Sequence, residues 1–422
     1  MPRLLQIAVE CNTGSTGTIA EAIGNIAIKN GWESYIAYGR FYKPSNSHTY
    51  KIESKCGLYI HGLLTRIFDR HGKGSLIATK KLIKYIKTIK PDIIHLHHLH
   101  GYYINIRTLF DYLSSSNIPV VWTFHDCWSF TGHCAYFDFV DCNKWQTECF
   151  NCPDKKEYPT SYLFDRSNKN YKEKKDLFNS VQNMTIVPVS YWLGDLVKQS
   201  FLGKYPIKVI QNGIDIDVFS PQNKDRMIKS KYKSSDKFVI LGVAGTWSRR
   251  KGLEEFIKLS RNIDNNSKIM LVGLNNKQLK TLPLNIVGIK RTENVKELAE
   301  LYSAADVFVN PTFEDTFPTT NLEALACGTP VVTYKTGGSV EAVSEDTGII
   351  VEKGNIKELL DAIKTIQNRG KSFYTLKCRE RAIKYFNKND RFNDYFCLYK
   401  DLLNQNKNIF GTSPPIDLMC DR

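Results

Sequence analysis

Residues 306–341 read DVFVNPTFEDTFPTTNLEALACGTPVVTYKTGGSVE. Val307 to Val309 form a short apolar run of the kind buried in a parallel sheet, and Asn310-Pro311 ends it. An acidic, hydroxyl-rich loop follows from Phe313 to Thr320. A helix is expected to start near Thr319 or Thr320, to carry Glu323 and to end at Gly328. Pro330 to Tyr334 supply the next strand, and Gly337-Gly338 open another turn. Strand, loop, helix and strand make a βαβ unit, because parallel neighbours need such a crossover. Ligands of open α/β sheets collect beyond the carboxyl ends of the strands, so the chemistry is expected at this loop.

Working outward, 422 residues exceed the size at which a single core stops growing, so two domains are expected. A composition 42% hydrophobic and 24% charged belongs to a globular chain rather than a disordered one. No run approaches the roughly 20 apolar residues that span a bilayer. The opening MPRLLQIAVECN is too short, and too soon interrupted by Glu10, for a secretory signal; it reads as a strand, and a cytoplasmic location is expected.

The net charge of +15 gathers partly in KKLIKYIKTIK (80–90) and NKNYKEKKD (168–176). Leu82, Ile83, Ile86 and Ile89 fall at helical spacing, leaving Lys80, Lys81, Lys84, Lys87 and Lys90 on other faces. Such a face is either simply solvated or attracted to an anionic membrane surface. Nucleic acid is not expected as a partner, since no helix-turn-helix, zinc finger or stacking platform accompanies the charge.

In the first half, strand LLQIAVE (4–10) leads through CNTGSTGT (11–18) into a helix over 18–31. Gly14 and Gly17 make this either a phosphate-binding entry or a tight turn, without the full dinucleotide fingerprint. SYIAYG (34–39), PDIIHLH (91–97), IPVVWTFHD (118–126), MTIVPVS (184–190) and a short run within 205–215 are read as strands. Two helical stretches, 57–69 and 76–89, lie between them, and a third, SYWLGDLVKQS, is capped by Ser190. This alternation predicts an α/β fold with a doubly wound parallel sheet. His125 ends its strand and is followed by Asp126, a placement suited to hydrogen-bonding a sugar or phosphate.

The loop 126–153 holds five of the 11 cysteines. Cys149 and Cys152 have metal-type spacing, and Cys134 with Cys142 would complete a tetrahedral structural zinc site. The alternative is free thiols packed under aromatic rings.

KFVILGVAG (237–245), KIMLVG (268–273), LNIVG (284–288) and TGIIVE (347–352) continue the strands, and a basic turn TWSRRKG (246–252) follows the first of them. Residues 216–236 are charged and weakly patterned. A first domain over 1–215, a second over 216–390 and a closing helix and tail over 391–422 are therefore expected.

SYWLGDLVKQS, IQNGIDIDVFSP (210–221), SRRKG (248–252) and FEDTFPTTNLEALACGTPVV with GGSVE, in that order, resemble the retaining GT-B glycosyltransferases of family 4. Within that family the chain is most similar to enzymes of bacterial surface polysaccharide assembly. The resemblance implies two Rossmann-like domains facing across a cleft, the first for the acceptor and the second for a nucleoside diphosphate sugar, UDP- or GDP-linked. It makes Glu323 the residue that accepts from the ribose, and Asp315 or its neighbour Glu314 the residue facing the sugar. The backbone over Phe317, Pro318 and Thr319 would meet phosphate near the helix N-terminus. Lys251 would clamp the diphosphate, with Arg249 or Arg250 as second cation because Thr246 stands where an arginine is usual. His125 would contact the donor sugar, while Gly14 and Gly17 approach the diphosphate. The implied chemistry needs no catalytic metal. It delivers a hexose to a lipid-linked glycan at the inner face of the cytoplasmic membrane. An epimerase or a non-catalytic sugar-nucleotide binder of the same fold would share most of these features.

Overall fold

The structure, a computed structural model, describes the chain except Lys224, Lys233 and residues 411–422. The closing tail expected over 405–422 lies outside the described residues from 411 onward; before that, helix Lys388–Phe410 continues through it.

Two six-stranded sheets form, each entirely parallel. The first comprises β1 (Arg3–Ala8), β2 (Glu33–Tyr38), β3 (His48–Lys51), β4 (Ile93–Leu96), β5 (Val120–Phe124) and β6 (Met184–Pro188), in the order β3-β2-β1-β4-β5-β6. The second comprises β7 (Phe238–Val243), β8 (Ser267–Val272), β9 (Ile286–Ile289), β10 (Val307–Asn310), β11 (Val331–Tyr334) and β12 (Gly348–Val351), in the order β12-β11-β10-β7-β8-β9. Renumbered within itself, the second repeats the first. Both are doubly wound, and strand order reverses between β1 and β4 and between β7 and β10. Strands β4, β5, β6, β10 and β11 are buried at every position, in keeping with their mostly apolar runs.

The chain divides into Met1–Ile210 together with the last helix from Arg391, and Gln211–Asp390. The division falls five residues before the expected 215, and the closing helix belongs with the first unit. Its residues Phe392, Tyr395, Phe396 and Tyr399 pack with Leu4, Ile23 and Trp32. The Trp32 and Phe396 rings meet edge-on at 5.1 Å. Tyr399 Oη lies 2.7 Å from His95 Nδ1, and Thr123 donates to Tyr395 Oη at 3.2 Å.

The strand expected within 205–215 is an extended segment beside β6. Ile186 N–H donates to Pro206 O, and Lys208 and Ile210 N–H donate to Ile186 O and Pro188 O. Only one bridge, Ile186 with Ile207, results. Pro206 removes a donor from this edge. The helix expected over 18–31 begins earlier, at Gly14. Among the described residues no helix is long and apolar enough to cross a membrane.

Candidate functional site

In the second unit, the site grows from the point between β7 and β10 where strand order reverses. The turn after β7 is anchored by Trp247, a buried ring whose Nε1 donates to Val272 O at 2.8 Å. Gly252 ends that turn at φ +76° and caps helix Leu253–Ser260. A Cβ there would stand 2.2 Å from Pro311 O, so only glycine lets the basic turn touch the loop after β10. Gly252→Ala is expected to cost about 2–4 kcal/mol of stability. A lowered melting temperature with weakened nucleotide binding would show it; an unchanged protein would mean the turn can shift without loss.

The contact so enforced is polar. Phe313 N–H donates to Arg250 O at 2.8 Å, and Arg250 Nη1 donates to Glu314 O at 2.6 Å. Arg250 is thereby committed to shaping the loop, while Arg249 is exposed on the same turn. Lys251 Nζ reaches Asp315 Oδ2 at 2.5 Å, with the carboxylate buried and the ammonium a quarter exposed. Asp315 O in turn accepts from Gly338 N–H at 3.1 Å, drawing the Gly337-Gly338 turn against the loop.

Helix Thr319–Ala326 starts with Pro318 at its N-cap, no side-chain cap and no acid in its first turn. Its leading N–H groups therefore suit an external anion. Phe317, just ahead, is a buried anchor: its ring meets Phe386 at 5.9 Å, and its carbonyl accepts from Asn212 at 3.4 Å. Glu323 is half-buried, and its Oε2 accepts from Tyr302 Oη at 2.9 Å. Burial pushes its carboxyl up to about 7, against the pull of the Tyr302 and Thr319 hydroxyls.

Beneath them runs a buried amide network. Asn310 Nδ2 donates to Asn321 Oδ1 at 2.8 Å, Asn321 Nδ2 to Ser339 O at 3.1 Å, and Thr333 Oγ1 to Asn310 O at 3.0 Å. These side chains lock the end of β10, the Glu323 helix and the glycine turn together. Neither they nor Tyr302 stand out in the sequence, where Tyr302 reads only as part of a helix's inward stripe.

The first unit has its own polar centre, between β1 and β4. Gln6 Nε2 donates to Ala20 O at 2.7 Å, so its oxygen faces His97 Nε2 at 3.1 Å. His97 must donate there, which leaves its Nδ1 as acceptor for His125 Nε2–H at 3.3 Å. Burial holds His125 well below its ordinary value, with His98 and His97 adding to the effect; the ring is neutral, with its proton on Nε2. Gln6→Leu would free that tautomer and take the partner from buried His97 Nε2, so a loss of about 1–3 kcal/mol in folding is expected. Unfolding midpoints within error of the parent would mean that His97 does not depend on Gln6.

Beside this chain, Asp126 accepts from His100 Nε2 at 2.6 Å and from Trp128 N–H at 3.0 Å, and His98 Nε2 lies 3.4 Å away. Burial would raise this carboxyl; His100, His98 and the N–H donors overcome that and hold it well below the usual range. Gly14 and Gly17 fall in the first turn of helix Gly14–Lys29 rather than in a loop before it. Gly14 sits at φ +61°, where a side chain would be strained, and a Cβ there would displace the Glu10 carboxylate.

The four cysteines of the expected zinc site, Cys134, Cys142, Cys149 and Cys152, line one small pocket. Among the described residues, the one set of three or more His, Cys, Asp or Glu ligand atoms within 4.8 Å of one another is His98, His100 and Asp126. Cys134, Cys142, Cys149 and Cys152 form no such set. Cys134 hydrogen-bonds Cys152, and the Cys149 sulfur accepts from Gly132 N–H at 3.2 Å. Aromatic packing restrains the loop: Trp145 meets Phe130 at 5.2 Å and Phe137 at 5.0 Å. Buried Lys174 donates to Trp128 O and Thr131 O, and His133 pairs with Asp69.

Comparison with known proteins gives the arrangement a family. The model for Glycosyltransferase Family 4 matches residues 27–218, and that for Glycosyl transferases group 1 matches residues 237–369. The chain belongs to glycosyltransferase family 4. It is an enzyme of that family, and its two doubly wound sheets are those of the GT-B fold. A relative in Escherichia coli (strain K12), the glycosyl transferase WcaC named for colanic acid biosynthesis, is 24% identical over 381 residues, or 86% of this chain and 90% of the relative. Sucrose-phosphate synthase from Thermosynechococcus elongatus superposes with a TM-score of 0.72 at 17% identity, covering 96% of this chain and 100% of that one. Anabaena HepE in complex with UDP-glucose does so at 0.63 and 14%, covering 96% and 99%. At these identities the likeness to the solved structures is one of fold. For this family 4 enzyme, the strand-order reversal in the second unit brings Lys251, Asp315 and the Glu323 helix to one sheet terminus.

Proposed function

We propose that the protein is a retaining hexosyltransferase that moves a hexose from a UDP- or GDP-sugar to a lipid-linked glycan during surface polysaccharide assembly. The observation that carries this is the pairing of Lys251 with Asp315 beside the uncapped start of the Glu323 helix. A departing diphosphate gains negative charge as the glycosidic bond breaks. Lys251 and the N–H groups at Thr319 and beyond are fixed donors for that charge. Asp315, already oriented by Lys251, accepts from a sugar hydroxyl, and this favours it over Glu314 for the sugar-facing role. Glu323, once ionised, accepts from the ribose hydroxyls. His125, neutral and held as one tautomer, contacts the transferred sugar. The colanic acid name of the Escherichia coli relative and the UDP-glucose held by HepE support the substrate classes.

A panel of UDP- and GDP-hexoses tested by thermal shift should single out one donor, since a tight ligand raises the melting temperature. The same donor, labelled in the sugar, should then yield a glycoside of unchanged anomeric configuration. No shift with any member, inversion at the anomeric carbon, or release of only an epimerised sugar would each defeat the proposal.

A further inference from the structure

Helix Lys55–Phe68 is amphipathic the wrong way round. His61, Gly62 and Thr65 are its buried residues, whereas Tyr59, Ile60 and Leu63 are 79%, 56% and 58% exposed. A surface helix normally turns its apolar stripe inward. The face is extended by a neighbouring segment in which Leu163 is 67% exposed and Tyr162 and Phe164 are also exposed. Tyr162 N–H donates to Arg66 O at 2.7 Å and Phe164 N–H to Ile67 O at 3.2 Å, and the Phe68 and Phe164 rings stack at 5.6 Å. Helix Leu76–Ile89 begins beside it, tied by a contact of 3.0 Å between Ser75 Oγ and His61 Nδ1. Ile77 there is 72% exposed, and Lys80, Lys81 and Lys84 continue the same helical stripe.

Charge distinguishes this patch from an ordinary protein contact. Residues 54–90 contain nine lysines and arginines against one acid, Asp69, which is fully buried against His133. Apolar tips rimmed mainly by cations, with Glu157 and Asp165 flanking the second segment and Glu173 paired with Lys73, match the boundary between acyl chains and anionic head groups.

We propose that this face docks the protein on an anionic bilayer. Tyr59, Ile60, Leu63, Ile77 and Leu163 enter the head-group boundary, while Arg66 and the lysine stripe meet lipid phosphates. The inference rests on the proposed lipid-linked acceptor and deepens it by naming the surface that brings the enzyme to such a substrate.

The test is flotation of the full chain with phosphatidylcholine vesicles containing about a third phosphatidylglycerol. The parent should float with these vesicles, less at high salt, and much less with phosphatidylcholine alone. Ile60→Glu combined with Leu163→Glu should weaken binding by about tenfold or more, and Lys80→Glu with Lys84→Glu should weaken it on anionic vesicles only. All four side chains are exposed, so the variants should keep the parent's melting temperature and its thermal response to UDP or GDP. Flotation of the Ile60→Glu, Leu163→Glu protein within about twofold of the parent would overturn the proposal. So would equal binding of the parent to neutral vesicles, or a parent dimer that this variant converts to monomer. A missing response to UDP and GDP in every protein, with vesicle binding as expected, would instead overturn the donor assignment and leave the docking surface standing.

Discussion

Lys251→Ala is expected to lower hexose transfer by about two to three orders of magnitude, the cost of losing one fixed charge-stabilising donor. The ammonium is already held 2.5 Å from Asp315, so little reorganisation is needed when the diphosphate becomes anionic. The same contact predicts a structural cost. Removing Lys251 strands a carboxylate that is only 9% exposed, and a loss of about 1–3 kcal/mol in folding should accompany the loss of rate. The two effects separate in the double variant. Adding Asp315→Asn to Lys251→Ala takes away the stranded charge, so the melting temperature should recover while transfer does not. Near-normal turnover of Lys251→Ala would remove this residue from the donor site. A double variant as unstable as the single one would show that the pair is not what holds the loop.

Glu323→Gln should reduce nucleotide affinity about tenfold to a hundredfold above pH 7, because an amide replaces the charged acceptor while keeping its shape and its bond from Tyr302. The carboxyl sits near 7 in the empty protein against an ordinary 4.5, and the cause is burial. The raised value means that the folded protein favours the protonated form. Stability from this group is complete below pH 4.5 and is lost as pH rises through about 7. At pH 8 the glutamine protein should therefore be more stable than the parent, by about 2 kcal/mol or less. Binding runs the other way. If the ionised carboxylate accepts from the ribose, the parent's affinity for a nucleotide should climb by up to about tenfold between pH 6 and pH 8, while the glutamine variant lacks that rise. Isothermal titration of both proteins with UDP and GDP isolates the effect, since titration of the nucleotide's own phosphate is common to both. Parallel pH profiles would place Glu323 away from the bound nucleotide.

Much of the scaffold was legible because parallel strands buried on both faces leave mostly apolar runs, as in VFVN and VVTY. The edge strand β3 escaped because HTYK is largely exposed and carries no such run. Gly252 and Lys251 were visible as a turn between strand and helix. What Gly252 is needed for, a backbone contact with Pro311, joins segments that only tertiary packing brings together. Tyr302 was hidden for a similar reason: helical spacing places it inward without saying which carboxylate its hydroxyl will meet. The cysteine spacing pointed to four thiols that line one pocket, but not to the Trp145 and Lys174 contacts that also hold the loop. The sequence also places a helix over 57–69, but it does not reveal that Tyr59, Ile60 and Leu63 on it face solvent.

The return of helix Lys388–Phe410 to the first unit has a consequence for biosynthesis. Phe392, Tyr395, Phe396 and Tyr399 complete a core begun by Leu4, Ile23 and Trp32, so segments made before and after the whole second unit share one interior. The first unit must then wait, incompletely closed, while the whole of the second is translated and is free to fold. The first unit is then the later of the two to mature, and a chain cut short before Arg391 would carry a sound second unit attached to an unfinished first.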